Sequence, residues 1–260
     1  MYLPNGPSAA ILHRHHDRQH YFLRRRRHYT ASKFGPVAFS HSSKGRLTDR
    51  DLERFPGDLL FDRLARAVCH AGCLPRKELY EAWEMARRVR RVFRGGRIVD
   101  LAAGHGLLAH VLMILDNSSP QALVVDTALP PSSSRLHEGL IDAWPRLDGR
   151  LLFEERPLES VPLSEDDLVV SGHACGALAD LVLERASAAQ ARVAVLPCCH
   201  DLAINDAGSL SGWVDGALAV DVMRAVRLEQ RGYRVRTFTI PAEITPKNRL
   251  LVGEPAAGAK

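Results

Sequence analysis

No run of apolar residues in this chain approaches the roughly 20 needed to cross a bilayer as a helix, and its start lacks the uninterrupted apolar segment of a signal peptide. These absences argue against a membrane role and predict a soluble protein of the cytoplasm. Cysteine is scarce, 5 residues in 260 and none before Cys69. The number is odd, and Cys175, Cys198 and Cys199 fall in segments that read as core, which excludes the framework of a secreted disulfide scaffold and predicts reduced thiols. Internal repeats are absent as well, which excludes a repeat architecture.

What is present is unevenly distributed. The net charge of +5 conceals a split: residues 1–50 carry ten Lys/Arg against two acids, while the rest carries 25 against 28. Half of the twelve histidines lie in the same first 50 residues. We therefore expect a basic, partly disordered arm over 1–50. A basic arm on a mildly acidic body suits a polyanion such as RNA, because neutralised phosphates release counterions without requiring a defined fold; a merely solvated tail has the same composition. His13, His15, His16 and His20 lie close in sequence but lack cysteine partners and an apolar setting, so no metal is assigned to them.

With 46% hydrophobic and 25% charged residues, the remainder suffices for one large α/β domain over 51–260. Apolar residues at helical spacing predict a helix over 56–72, from Leu59 and Leu60 to Val68, stopped by Gly72. A second follows Pro75, with Leu79, Trp83, Ala86, Val89, Val92 and Phe93 in one stripe before Gly95 and Gly96. The pair forms a helical cap over 56–94. Its second helix turns Arg87, Arg88, Arg90, Arg91 and Arg94 to the other face, which suits phosphate or simply water.

The rhythm then changes. Strands are predicted at 98–101, 122–126, 150–153, 168–171, 193–196, 233–240 and 249–252, and helices at 107–115, 137–144, 177–191 and 214–230. Continuous apolar strands alternating with helices imply a Rossmann-like, seven-stranded, mostly parallel sheet with helices on both faces. The last two strands have no helix between them, which suits an antiparallel edge hairpin.

Chemistry concentrates at the carboxyl ends of these strands. Ile98-Val99-Asp100-Leu101-Ala102-Ala103-Gly104-His105-Gly106 is a strand, a glycine turn and a helix start, where an open α/β sheet receives a nucleotide-like ligand. Gly104-x-Gly106-x-x-Ala109 also fits a dinucleotide fingerprint, and an NAD-linked oxidoreductase is the rival reading. The acid at the strand tip separates the two: Asp100 would repel a pyrophosphate but attract the ammonium and sulfonium of S-adenosylmethionine. Asp126, at the end of the next strand, can accept both ribose hydroxyls of either cofactor. The expected cofactor set is Asp100, Ala102, Gly104, Gly106, Asp126 and Ser171.

Two further loops should open onto the same edge. His173 follows the fourth strand, and Pro197-Cys198-Cys199-His200 follows the fifth. His173 and His200 suit general bases, with unperturbed pKa values near neutrality. Cys198 or Cys199 suits a thiolate nucleophile toward pyrimidine C6, or zinc binding with Cys175 and a histidine; simple packing fits them too. The catalytic set is read as His173, Cys198 and His200, with no metal assigned. Lys247 and Arg249 lie between the last strands and suit cationic contacts if that turn folds back.

At these residues the chain resembles the class I S-adenosylmethionine-dependent methyltransferases, in particular a methyltransferase-domain family of methyltransferase-like proteins, and more remotely the eukaryotic tRNA ribose methyltransferases. The likeness rests on Asp100-x-x-x-Gly104-x-Gly106, the Asp126 strand with Ser132 to Arg135, His173-Ala174-Cys175-Gly176 with Asp180, Pro197-Cys198-Cys199-His200, and Thr245-Pro246-Lys247-Asn248-Arg249. It spans roughly 75–253, with the Pro-Cys-Cys-His block its most specific part. It implies S-adenosylmethionine as cofactor and an RNA or protein acceptor. Ala102-Ala103 and His105 depart from the usual turn, and residues 1–68 have no cysteine for the zinc-finger-like extension of the tRNA enzymes. RNA is the expected acceptor; a protein side chain or small molecule, or an inactive RNA-binding relative, are the alternatives.

Overall fold

Short runs of aliphatic residues set the centre of the sheet. In the computed structural model, which describes residues 39–256, these runs are Ile98–Leu101 (β1), Ala122–Asp126 (β2), Leu168–Ser171 (β4) and Arg192–Val195 (β5), almost wholly buried. Leu151–Glu155 (β3), Tyr233–Thr239 (β6) and Arg249–Pro255 (β7) complete seven strands in the order β3-β2-β1-β4-β5-β7-β6. The first five are mutually parallel, as crossover helices require. β7 is antiparallel to both neighbours.

The expected edge hairpin is thus only half an edge. β7 inserts between β5 and β6, and only β6 lies at the border. The reason is in the sequence of β7, where Leu250, Leu251 and Val252 are all buried. A strand apolar on both faces is most stable inside a sheet.

Helices cover both faces. On one lie Leu60–Ala71 (α1), Arg76–Val92 (α2), Leu107–Leu115 (α3) and Ser133–Ala143 (α4), whose apolar residues share a core with Ile98, Val124 and Val170. On the other lie Ala177–Ala188 (α5) and Gly216–Gln230 (α6), packed on Val99, Leu101, Val169 and Val193. Gly72 ends α1 at φ +61°, a left-handed conformation natural to glycine at a helix stop. α4 begins before the expected residue 137, because Ser132 and the turn closed by Ser133 N–H on the Pro130 carbonyl start the helix where the serines read as linker.

The folded body reaches upstream of residue 51. Leu47 and Phe55 are fully buried, and the Arg76 guanidinium lies 3.5 Å from the Phe39 ring centroid. Residues 1–38 of the predicted arm, with His13, His15, His16, His20 and Arg24 to Arg27, lie outside the described residues. Among the described residues no helix is long and apolar enough to cross a membrane.

The arginine face of α2 is mostly engaged. Arg87 and Arg88 pair with Glu84, Arg94 pairs with Asp116, and Arg90 is buried, donating to the Leu112 carbonyl and Ser119 Oγ. Arg91 alone of the five is exposed without an ion pair among the described residues. Arg90 and Arg94 pin α2 to the end of α3 while Arg87 and Arg88 pair within α2, which leaves little of that face for phosphate.

Candidate active site

The turn after β1 is built by three left-handed residues, Ala102 (φ +53°), Gly104 (φ +54°) and Gly106 (φ +74°). The two glycines serve different ends. A methyl on Gly106 would come within 2.8 Å of Val124, so this glycine lets α3 start against β2. A methyl on Gly104 would meet nothing within 4 Å, so this glycine faces open space. Ala102 adopts the same region with a side chain, at a cost on the order of 1 kcal/mol that the surrounding structure must hold.

Asp126 fastens the turn to β2. Its carboxylate accepts from Gly104 N–H at 2.9 Å and from Thr127 N–H at 2.8 Å. Two carboxylate oxygens offer about four acceptor sites, so capacity remains for ligand hydroxyls. His110 braces the helix behind the turn: its Nδ1–H donates to the Gly106 carbonyl at 2.7 Å, which leaves Nε2 to accept from His137 at 3.0 Å. Burial lowers His110 to about 3, so this ring is neutral.

Asp100 is 1% exposed. Its carboxylate turns under α3, where Oδ2 accepts from Ala109 N–H at 3.1 Å, and Oδ1 is buried with no hydrogen-bond partner. This corrects the expectation of a carboxylate standing open at the strand tip. Desolvation, with Asp126 and Glu78 nearby, pushes its pKa up to about 8. Register puts Ser171 on the opposite face of the sheet from Asp100, since Asp100 pairs with Val170. Ser171 Oγ is likewise buried without a partner.

Glu78, from the first turn of α2, joins the same place. Its Oε1 lies 4.0 Å from His105 Nδ1 and 3.7 Å from His173 Nε2. Desolvation, then Glu81, raises Glu78 to about 7. His105 also meets Ser132 Oγ at 2.9 Å. Desolvation lowers both His105 and His173, which favours neutral rings at neutral pH. The site thus gathers three carboxylates and two neutral imidazoles around a glycine turn, and among the described residues none of the three acids has a lysine or arginine partner.

The loops after β4 and β5 bring three thiols together. Sγ of Cys175 lies 2.7 Å from that of Cys198, which lies 3.8 Å from that of Cys199. A parallel bridge between Cys175 and Cys199 joins the loops, and all three thiols are free. Burial pushes Cys198 up, which disfavours the thiolate a nucleophile needs. Cys199 is lowered, by a hydrogen bond from Cys175 foremost and with Lys247 beside it.

His200 is turned away from this group. Its buried ring meets Asp221 Oδ1 at 2.7 Å through Nε2, and Asp221 also takes Arg249 at 2.7 Å and Arg224 at 3.2 Å. Arg224 continues to Asp180 and to the Gly176 carbonyl. The expected base is therefore a tie between the β5 loop and α6, as Arg249 is for β7. Of the predicted residues, Gly104, Gly106, Asp126 and His173 share the open edge; Asp100 lies just beneath it, and His200 stands apart in the ion network.

Sequence reasoning missed Glu78 and Asp221. Glu78 had one signal, an acid in the first turn of a helix whose neighbour in sequence is the cap of the site. Asp221 had none, being one polar residue on an amphipathic helix.

Five parallel strands, a glycine turn at the first strand end and an inserted antiparallel β7 define a Rossmann-like fold. Residues 77–205 match the model of a family described as a methyltransferase domain. It is 26% identical over 203 residues to a glutathione S-transferase C-terminal domain-containing protein of Xenopus laevis, an alignment covering 62% of this chain and 31% of that one. The chain thus spans about a third of that relative. Among solved structures it is similar to an O-methyltransferase family protein from Burkholderia thailandensis, at 17% identity and a TM-score of 0.42, covering 80% of this chain and 68% of that one. It is also similar to a tRNA methyltransferase from B. subtilis, at 13% identity and 0.44, covering 67% and 66%.

Proposed function

We propose that the protein transfers the methyl group of S-adenosylmethionine to RNA. The observation that carries the cofactor reading is the set of three carboxylates, the desolvated Glu78 and Asp100 together with Asp126, gathered at one turn without a lysine or arginine partner among the described residues. Glu78 and Asp100, whose pKa values are raised, are poised for a cation, which lets them ionise, and ionised carboxylates repel the pyrophosphate of a dinucleotide. The orphaned Oδ1 of Asp100 and the open space over Gly104 fit such a ligand.

S-adenosylmethionine, when bound, supplies an electrophilic methyl on a sulfonium. Glu78 and Asp100 balance the cationic methionine end, Asp126 offers its remaining acceptor sites to the ribose, and Gly104 gives the backbone close approach. His173, neutral and half-buried, takes a proton from an acceptor that must lose one.

Two features support RNA as acceptor. Residues 1–50 carry ten Lys/Arg against two acids. On the segment between β5 and α6, Trp213 is 80% exposed, and Leu202 and Ile204 are exposed on the same segment; an exposed indole is a platform for unpaired bases. Equilibrium dialysis with radiolabelled S-adenosylmethionine tests the cofactor: unlabelled cofactor should displace it and NADH should not, whereas displacement by NADH overturns the reading. Incubation with tritiated cofactor and cell extract tests the acceptor. Nuclease should release the label; release by protease instead would make the acceptor a protein.

A further inference from the structure

We propose that Cys175, Cys198 and Cys199 form a zinc site that clamps the loops after β4 and β5, with three thiolate ligands and an open fourth position. The three sulfurs lie within 4.8 Å of one another, on two loops that the fold brings to the same sheet edge. Three soft donors converging from separate loops are what a borderline-soft d¹⁰ ion binds.

The spacing is close to that of a formed site. Zinc–sulfur bonds of about 2.3 Å in a tetrahedron put neighbouring sulfurs about 3.8 Å apart. Cys198 and Cys199 are already 3.8 Å apart. Cys175, at 2.7 Å from Cys198, needs a shift of about 1 Å to reach that edge. Its side chain is exposed, so a small rotation suffices.

Charge and anchoring fit as well. Three thiolates and Zn²⁺ sum to one negative charge, and Lys247 beside Cys199 compensates it. The loops are pinned on the other side by the bridge from Cys175 to Cys199 and by Gly176 N–H on the Cys199 carbonyl at 3.3 Å, so the ligands are held before any ion arrives. Among the described residues no fourth histidine, cysteine or acid joins the three. A zinc with three protein ligands keeps a place for water or for an atom of the acceptor. The inference does not depend on which acceptor is used.

The test is metal content and cobalt spectroscopy on the full chain purified under reducing conditions. One zinc per chain is expected, and replacement by cobalt(II) should give a strong near-ultraviolet thiolate-to-cobalt charge-transfer band with tetrahedral visible bands. Cys175→Ser and Cys199→Ser should each weaken zinc retention by about 10-fold or more, judged by chelator competition, with far-ultraviolet circular dichroism confirming folding. If a variant does not fold, the charge-transfer intensity of the unaltered protein still counts its thiolates. Three outcomes overturn the proposal: no zinc and no charge-transfer band; undiminished zinc in a folded Cys175→Ser/Cys198→Ser/Cys199→Ser variant, placing the ion on the N-terminal histidines; or a Cys175–Cys198 disulfide in the isolated, metal-free chain.

Discussion

Oε1 of Glu78 stands 3.7 Å from Nε2 of His173, joining the first turn of α2 to the loop after β4. In the proposed function the carboxylate serves the cofactor and the imidazole the acceptor, so the two should separate kinetically. His173→Ala should lower single-turnover methyl transfer by about 100-fold or more, as loss of a general base does, with cofactor affinity changed by less than about 3-fold. Glu78→Gln should weaken cofactor binding by about 10-fold, near 1.4 kcal/mol, through loss of one balancing charge. Equal losses of binding in both variants would show that the pair acts as one structural unit.

The buried acids impose a sign on stability against pH. Glu78 is raised from 4.5 to about 7 and Asp100 from 3.8 to about 8. Between the ordinary and the raised values the folded chain holds more protons than the unfolded chain, so its stability falls as pH rises. Their contribution is intact below about pH 4 and is lost through about 7 to 8. The urea midpoint of the ligand-free protein should therefore decline from about pH 5 to about pH 8. Asp100→Asn should flatten that decline and stabilise the protein at about pH 8 by roughly 1–3 kcal/mol. The same variant should bind S-adenosylmethionine more weakly, because a cation draws the proton off the native acid; calorimetry in buffers of different ionisation enthalpy should show proton release on binding.

The two glycines of the turn predict opposite failures. Gly106→Ala forces a methyl to within 2.8 Å of Val124 at a left-handed φ, so it should lower stability by about 2 kcal/mol or more. Gly104→Ala meets no protein atom, so only backbone strain of about 1 kcal/mol should appear in unfolding, while cofactor binding falls steeply because the methyl occupies ligand space. Ala102→Gly should relieve strain at φ +53°, offset in part by the entropy of glycine. Unfolding and cofactor binding measured on the same samples separate the three.

How much of this was legible in the sequence follows from what is local and what is not. The ends of β1, α3, β2 and β4 agree with the predicted ranges, because apolar runs, glycines and acids mark those boundaries within a few residues of chain. Asp126 was legible for the same reason, as the polar end of an apolar strand. The burial of Asp100 was not, because its place depends on Ala109 N–H, nine residues on, turning back over it. Nor was Glu78, whose partners are 27 and 95 residues away. The convergence of Cys175 with Cys198 and Cys199 was legible as one alternative, because parallel β4 and β5 bring their two loops to the same edge.

The network around Asp221 gives the last prediction, and it separates support from chemistry. Asp221 meets His200, Arg224 and Arg249, and Arg224 is itself buried. Asp221→Ala leaves a buried guanidinium short of one partner, with Asp180 still bound to it, and a histidine without one, so the cost should be about 3 kcal/mol in urea unfolding. His200→Ala should cost about 1–2 kcal/mol, the loss of one charge-assisted hydrogen bond. Because the ring is buried and held by a carboxylate on α6, the folded His200→Ala protein should keep methyl transfer within about 10-fold of the unaltered chain. A catalytic His200 would give the reverse pattern, with unfolding unchanged and transfer lowered by about 100-fold or more.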